Sequence, residues 1–151
     1  MKNIIFLLLL TPLALTSCKK KGCTDEGADN YDEKAKVDNH TCTYGYDQFI
    51  GSYNVHTGAC DYEPNSFIST LTAGPNSNEV IMSNFNDEGF SVVATIDGNN
   101  ISFSKLSGGV GYVGTGYIIS TTVTVDCFIC EDYNYPDDCT DSSCSYTFAK
   151  M

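Results

Sequence analysis

The chain has 151 residues, a formal net charge of −11 and eight cysteines, and all eight of its basic residues are lysines. A surface this negative repels phosphate backbones, and without arginine it lacks the planar fork that recognises phosphates and bases in bidentate fashion, so nucleic acid is excluded as a partner. From Tyr46 to the C-terminus only Lys105 and Lys150 are basic against thirteen acidic residues, a balance suited to solubility or to attracting cations.

The chain opens with a leader. Met1-Lys2-Asn3 gives a short positive start, Ile4 to Leu10 an apolar run, and Thr11-Pro12-Leu13-Ala14-Leu15 its extension. It falls short of the roughly 20 apolar residues that span a bilayer and reads as a processed signal over residues 1–17. Thr16 and Ser17 before Cys18 resemble the lipobox of bacterial lipoproteins. That resemblance implies cleavage just ahead of Cys18 and acylation of its sulfur with chains such as palmitate. One chain holds a protein only marginally, whereas the two or three implied here would anchor it stably. The alternative is an ordinary thiol behind a conventional secretory signal. Lys19, Lys20 and Lys21 follow directly, either as a solvated tether or leaning on anionic headgroups at about 1 kcal/mol each. No aspartate follows Cys18, the residue that retains some proteobacterial lipoproteins at the inner membrane. The expected location is therefore the outer membrane, lipid-anchored at its periplasmic face or at the cell surface.

Residues 18–45 form the expected tether and a small acidic module. Gly22 to Tyr44 is polar, carries no apolar period long enough to make a core, and is bounded by Cys23 and Cys42. The pattern Gly22-Cys23-Thr24-Asp25, Ala28, Asn30-Tyr31, Ala35, Asp38 and Thr41-Cys42 resembles a short module of Bacteroidetes surface proteins, GCTDPxAxNYxxxAxxDDGSC. It departs at Glu26, where proline is usual, and at Asn39-His40, where Asp-Gly is usual. A Cys23–Cys42 disulfide would close a loop of about twenty residues, worth about 3 kcal/mol by chain entropy. The chain is expected to need no cofactor. The one ion this loop would suit is Ca2+, through Asp25, Asp29, Asp32 and Asp38, although their spacing is not that of an EF-hand.

Residues 46–151 read as antiparallel β. Phe49, Gly51, Tyr53 and Val55 share one face of a first strand; Phe67 to Thr72 and Asn78 to Phe85 follow, closed by the turn Asn86-Asp87-Glu88-Gly89. Phe90, Val92, Ala94 and Ile96 alternate with Ser91, Val93, Thr95 and Asp97, the period of a half-buried strand. Asp97-Gly98-Asn99-Asn100 is the strongest hairpin signal, with Ile101 and Phe103 on the partner strand. Gly108, Gly109 and Gly111 read as a loose connection before Tyr112 to Ser120, then Thr121 to Ile129 and Ser145 to Phe148. Seven or eight such strands must protect their edges by closing into an up-and-down barrel or by packing as a two-sheet sandwich. The Glu79-Val80-Ile81 strand with Ser83-Asn84-Phe85 after it, the Asp97-Gly98-Asn99 hairpin and the final Cys144-x-Tyr146-Thr147-Phe148-x-Lys150 strand resemble small lipocalin-like lipoproteins of Bacteroidetes. That resemblance implies the fold and the envelope address, and no assigned activity.

With Cys18 acylated, seven cysteines remain: Cys23, Cys42, Cys60, Cys127, Cys130, Cys139 and Cys144. Exported chains use cysteine for disulfides. Beyond Cys23–Cys42, the expectation is Cys130 with Cys139 across the acidic tip Glu131–Asp138, and Cys60 with Cys144 or Cys127. The leftover would be a small buried hydrophobe. Cys127 shares a strand face with Val123 and Val125 and is expected to point inward. The Cys127-x2-Cys130 pair invites zinc or redox exchange, but Cys139 and Cys144 are wrongly spaced for a zinc ribbon. The carboxylates of the tip, Glu131, Asp132, Asp137, Asp138 and Asp141, read first as a solvated, disulfide-pinned loop and otherwise as a cation site, and Tyr133, Tyr135 and Tyr146 as either a contact surface or ordinary strand packing. His40 and His56 lie outside any nucleophile motif, and no Gly-x-Ser-x-Gly elbow or phosphate loop is present.

The expected function is therefore non-enzymatic. The chain reads as an envelope lipoprotein held by membrane lipid through Cys18, with a structural or protein-interaction role in an envelope complex. The alternative is a lipocalin-like carrier of a small apolar ligand, which needs an interior void. Phe49, Tyr53, Phe90, Phe103, Tyr146 and Phe148 turned inward would fill it instead.

Overall fold

The computed structural model describes residues 19–58, 66–130 and 142–151. Two two-residue strands come first, β1 (Lys21–Gly22) and β2 (Val37–Asp38), paired in parallel. A 3-10 turn at Gly45–Gln48 leads into β3 (Gly51–Thr57) and β4 (Ser66–Ala73). Then come β5 (Glu79–Phe85), β6 (Phe90–Asp97), β7 (Asn100–Ser107), β8 (Val110–Ile119), β9 (Thr122–Cys130) and β10 (Ser142–Lys150). Strands β3 to β10 each pair antiparallel with their neighbours in sequence, and β10 returns to pair with β3, giving a closed eight-stranded barrel. Closure, with Phe148 opposite Val55 and Tyr146 opposite Thr57, satisfies both edges with hydrogen bonds and removes the sandwich alternative.

Alternation decides which side chains go inside. In β6 Val92, Ala94 and Ile96 are buried while Ser91, Val93, Thr95 and Asp97 are exposed. The same period turns Tyr53 and Val55, Leu71, Val80 and Met82, Ile101, Val123 and Val125, and Tyr146 and Phe148 into one contiguous core. Phe85 sits centrally, with ring centroids 5.1–5.9 Å from Phe90, Phe103, Tyr112 and Tyr146. Where Phe103 lies opposite Gly114, a Cβ on that glycine would come within 2.4 Å of the ring. The missing side chain is what seats the ring.

Three local details differ from the sequence reading. Phe49 is fully buried, yet it caps the C-terminal end of the 3-10 turn rather than belonging to the first strand, which starts at Gly51. A register shift between Met82 and Phe85, with Asn84 at φ 48°, inserts a bulge in β5. The extra residue lets Met82 and Phe85, three apart, both face inward. The Gly108–Gly109 segment is a tight two-residue turn between Ser107 and Val110, both glycines at positive φ, and Gly111 already belongs to β8. Two consecutive residues with positive φ make the hairpin turn that matches strand twist, so the connection is not loose.

The barrel has two unlike ends. One carries the 3-10 turn, the turns at 74–78, 98–99 and 120–121, and the C-terminus; the other carries the turns at 86–89 and 108–109. Residues 19–44 pack against the first end, where Gly27 lies so close to Ser77 that a Cβ would sit 3.0 Å away. Gln48 ties the 3-10 turn to the same end by donating its side-chain amide to the Gly98 carbonyl at 2.8 Å.

Candidate functional site

The N-terminal module is built on a Cys23–Cys42 disulfide with Cα atoms 4.9 Å apart. Cys23, Ala28 and Ala35 are its buried apolar residues, so polar contacts must hold its shape. Asn30 supplies two: its side-chain amide donates to the Thr41 carbonyl, and its oxygen accepts from the Thr43 N–H at 2.9 Å. Those bonds clamp the segment flanking Cys42 from the far side of the loop.

Three of the aspartates considered for Ca2+ take part in this scaffold. Asp25 accepts the N–H of Gly27, Asp32 that of Lys34 and Asp38 that of His40, at 2.9–3.0 Å. Each is a side-chain turn in which the carboxylate mimics a backbone acceptor two residues on. Asp32 also pairs with Lys20, and Asp25 also receives the Tyr44 hydroxyl. Among the described residues no three His, Cys, Asp or Glu side chains gather to hold a metal. Of the four aspartates expected to suit Ca2+, Asp25, Asp29, Asp32 and Asp38, three (Asp25, Asp32 and Asp38) cap turns, and the four are not gathered as a ligand cluster among the described residues. The Tyr44 hydroxyl and the Gly27 N–H hold the Asp25 carboxyl below the usual range, Lys20 does the same for Asp32, and Asp25 in turn pushes Tyr44 up to about 12.

Between module and barrel runs a polar cleft lined by Asp25, Gly27, Tyr44, Tyr46 and the β4–β5 turn from Gly74 to Ser77. The Tyr44 and Tyr46 rings stack in parallel 5.1 Å apart along its wall. Asn76 is fixed by donating its side-chain amide to Glu79 at 2.8 Å.

Cys127 is a free thiol, fully buried in the core. It leaves the set of disulfide candidates, and strand alternation places it in the barrel interior alongside Val123 and Val125. Burial pushes that thiol up to about 12, which makes it a poor nucleophile at neutral pH. Cys130 and Cys144 are disulfide-bonded. Cys18, Cys60, Cys139 and the tip with Glu131, Asp132, Tyr133, Tyr135, Asp137, Asp138 and Asp141 lie outside the described residues.

Among the described residues, the hydroxyls of Tyr112 and Tyr146 at the second end are engaged. Tyr146 donates to Asn86 at 2.8 Å and Tyr112 to the Glu88 carboxylate at 3.2 Å, while deeper in the barrel Tyr53 donates to the Phe49 carbonyl at 2.7 Å. Tyr146 therefore packs inside rather than offering a contact surface, and burial raises its pKa. The sequence reading missed one pair: His56 Nδ1 lies 2.8 Å from Ser66 Oγ, the two residues facing each other on β3 and β4. Both side chains are on the exposed outer wall, a convex surface open to water. Nothing in the intervening sequence could signal that register, since the connection is too long for a hairpin rule.

Among the described residues no helix is long and apolar enough to cross a membrane. No protein-family model matches the chain, and neither a curated protein nor a solved structure matches it.

Proposed function

We propose that this chain is a lipid-anchored envelope protein whose rigid β barrel has a structural or protein-interaction role and carries out no catalysis. One observation carries the reading: the inside of the barrel is taken up by its own side chains. Tyr53, Phe85, Phe148, Leu71, Met82 and Tyr146 are all essentially inaccessible, contributed by four different strands. An eight-stranded barrel is just wide enough for such side chains to fill it or for one small ligand to replace them. With the interior filled, what the molecule offers to others is its outer wall and its ends.

The lipobox-like Thr16-Ser17-Cys18 supports the anchor. Replacement C18A should leave an uncleaved or mislocalised precursor, read by membrane fractionation with intact mass. An unmodified N-terminus on the processed chain would overturn the anchor. Native mass spectrometry of protein drawn from its own membrane tests the filled barrel. A reproducible small apolar adduct would replace this reading with that of a carrier.

A further inference from the structure

We infer that the N-terminal module is the footing on which the domain stands on an anionic lipid surface, with Lys19, Lys21, Lys34 and Lys36 toward the headgroup phosphates and the far end of the barrel pointing away. The inference rests on the lipid-anchored reading above and adds an orientation to it.

Reach is the first argument. Only Lys19 and Lys20 separate Cys18 from β1. At most 3.3–3.6 Å per extended residue, roughly 10 Å of chain links an acylated Cys18 to folded structure. A tether that short cannot swing the module away from the bilayer.

Register is the second. Lys21 lies opposite Val37, and the Lys36 N–H donates to the Lys20 carbonyl at 2.8 Å. The segment with Lys34 and Lys36 is thereby laid alongside Lys19–Lys21, and all five lysines are exposed. Tyr31, bridged to Cys23, and Val37 are also 39% and 36% exposed, a ring and an aliphatic side chain of the kind that sits well at a lipid–water boundary.

Charge is the third. Residues 19–44 carry five lysines against six acidic residues, a balance of −1; Asp25 lines the cleft against the barrel and Asp29 reaches toward Gly45, so the stretches 19–24 and 31–38 hold all five lysines with only Asp32, Glu33 and Asp38. From residue 45 onward two lysines face thirteen acidic residues, a balance of −11. An anionic bilayer attracts the lysine-bearing stretches and repels the barrel within about a Debye length of 10 Å. Lys105 marks the opposite end, near the β7–β8 turn.

The test is lysine footprinting of the acylated, full mature protein, its acyl chains verified by intact mass. The protein is placed on phosphatidylcholine vesicles with and without phosphatidylglycerol, and a water-soluble amine-acetylating reagent is read residue by residue. Lys34 and Lys36 should react several-fold more slowly on the anionic vesicles, with Lys105 unchanged, and molar salt should abolish the difference. Equal rates at Lys34 and Lys36 on both vesicles would overturn the footing. Protection in native membranes alone, and not on vesicles, would assign the patch to an acidic protein and overturn the lipid assignment. An N-terminus without acyl chains would overturn the anchor by itself, a result the intact mass gives separately from the footprint.

Discussion

The two parts of this protein are held together by opposite means. In residues 19–44 three small residues are buried, and shape comes from one disulfide, Asn30 and a series of aspartate turns. In the barrel the described strands all feed one apolar core, and its buried polar atoms are all satisfied among the described residues. The module is thus stapled and the barrel is packed. A stapled loop can afford an exposed, charged surface throughout, which a packed domain of similar size cannot. That difference explains why charged side chains of both signs crowd the module, five lysines and six acids in residues 19–44, while the barrel spends its residues on alternation.

The contrast breaks hardest at Phe85, whose ring touches four other aromatic side chains. F85A should destabilise the barrel by about 3–5 kcal/mol, the usual cost of emptying a buried aromatic position. Thermal unfolding followed by near-ultraviolet circular dichroism measures it, and hydrogen exchange in residues 19–44 should change little. Next comes C23S with C42S, which removes the staple. About 3 kcal/mol of chain-entropy stabilisation is lost, and it should be lost locally. Exchange should accelerate across residues 19–44 while the melting of the barrel hardly moves. If the double variant lowered the barrel's melting as much as F85A does, module and barrel would be one cooperative unit and the contrast would be wrong.

The sequence makes these two halves legible to different depths. Period-two alternation in Phe90–Asp97 and the Asp97–Asn100 turn yield β6 and β7 directly, because both signals are local. The pairing of β10 with β3 joins residues some ninety positions apart, and only the general need to protect edges pointed toward it. The β5 bulge escaped because Asn84 stabilises it by contacts no pattern shows, donating to the Ile68 carbonyl and Asp87 and accepting from the Gly89 N–H. In the module, four aspartates suggested an ion by composition. Their function was readable in another way, since Asp25, Asp32 and Asp38 each sit two residues before an N–H they cap. Composition names the donor atoms, and only geometry says what they face.

The smallest effect expected is also the most specific to the module, the bond between Tyr44 and Asp25. Asp25 is held below its ordinary 3.8, and Tyr44 is raised from 10.0 to about 12. A depressed carboxyl stabilises the fold above its unfolded value and loses that contribution as pH falls through the folded one, here at acidities below 3.8. A raised phenol stabilises below its unfolded value and loses that contribution as pH climbs from 10 toward 12. The contact should therefore hold undiminished across the whole neutral range and fail only at both extremes. Ring resonances of Tyr44, followed by NMR through alkaline titration, should move at about 12, and in D25N they should move back toward 10. Because both groups face water, D25N should scarcely alter the melting of the barrel. Tyr44 ionising near 10 in the unaltered protein would show that the bond does not persist in solution, and Asn30 with the disulfide would then be left to define the module alone.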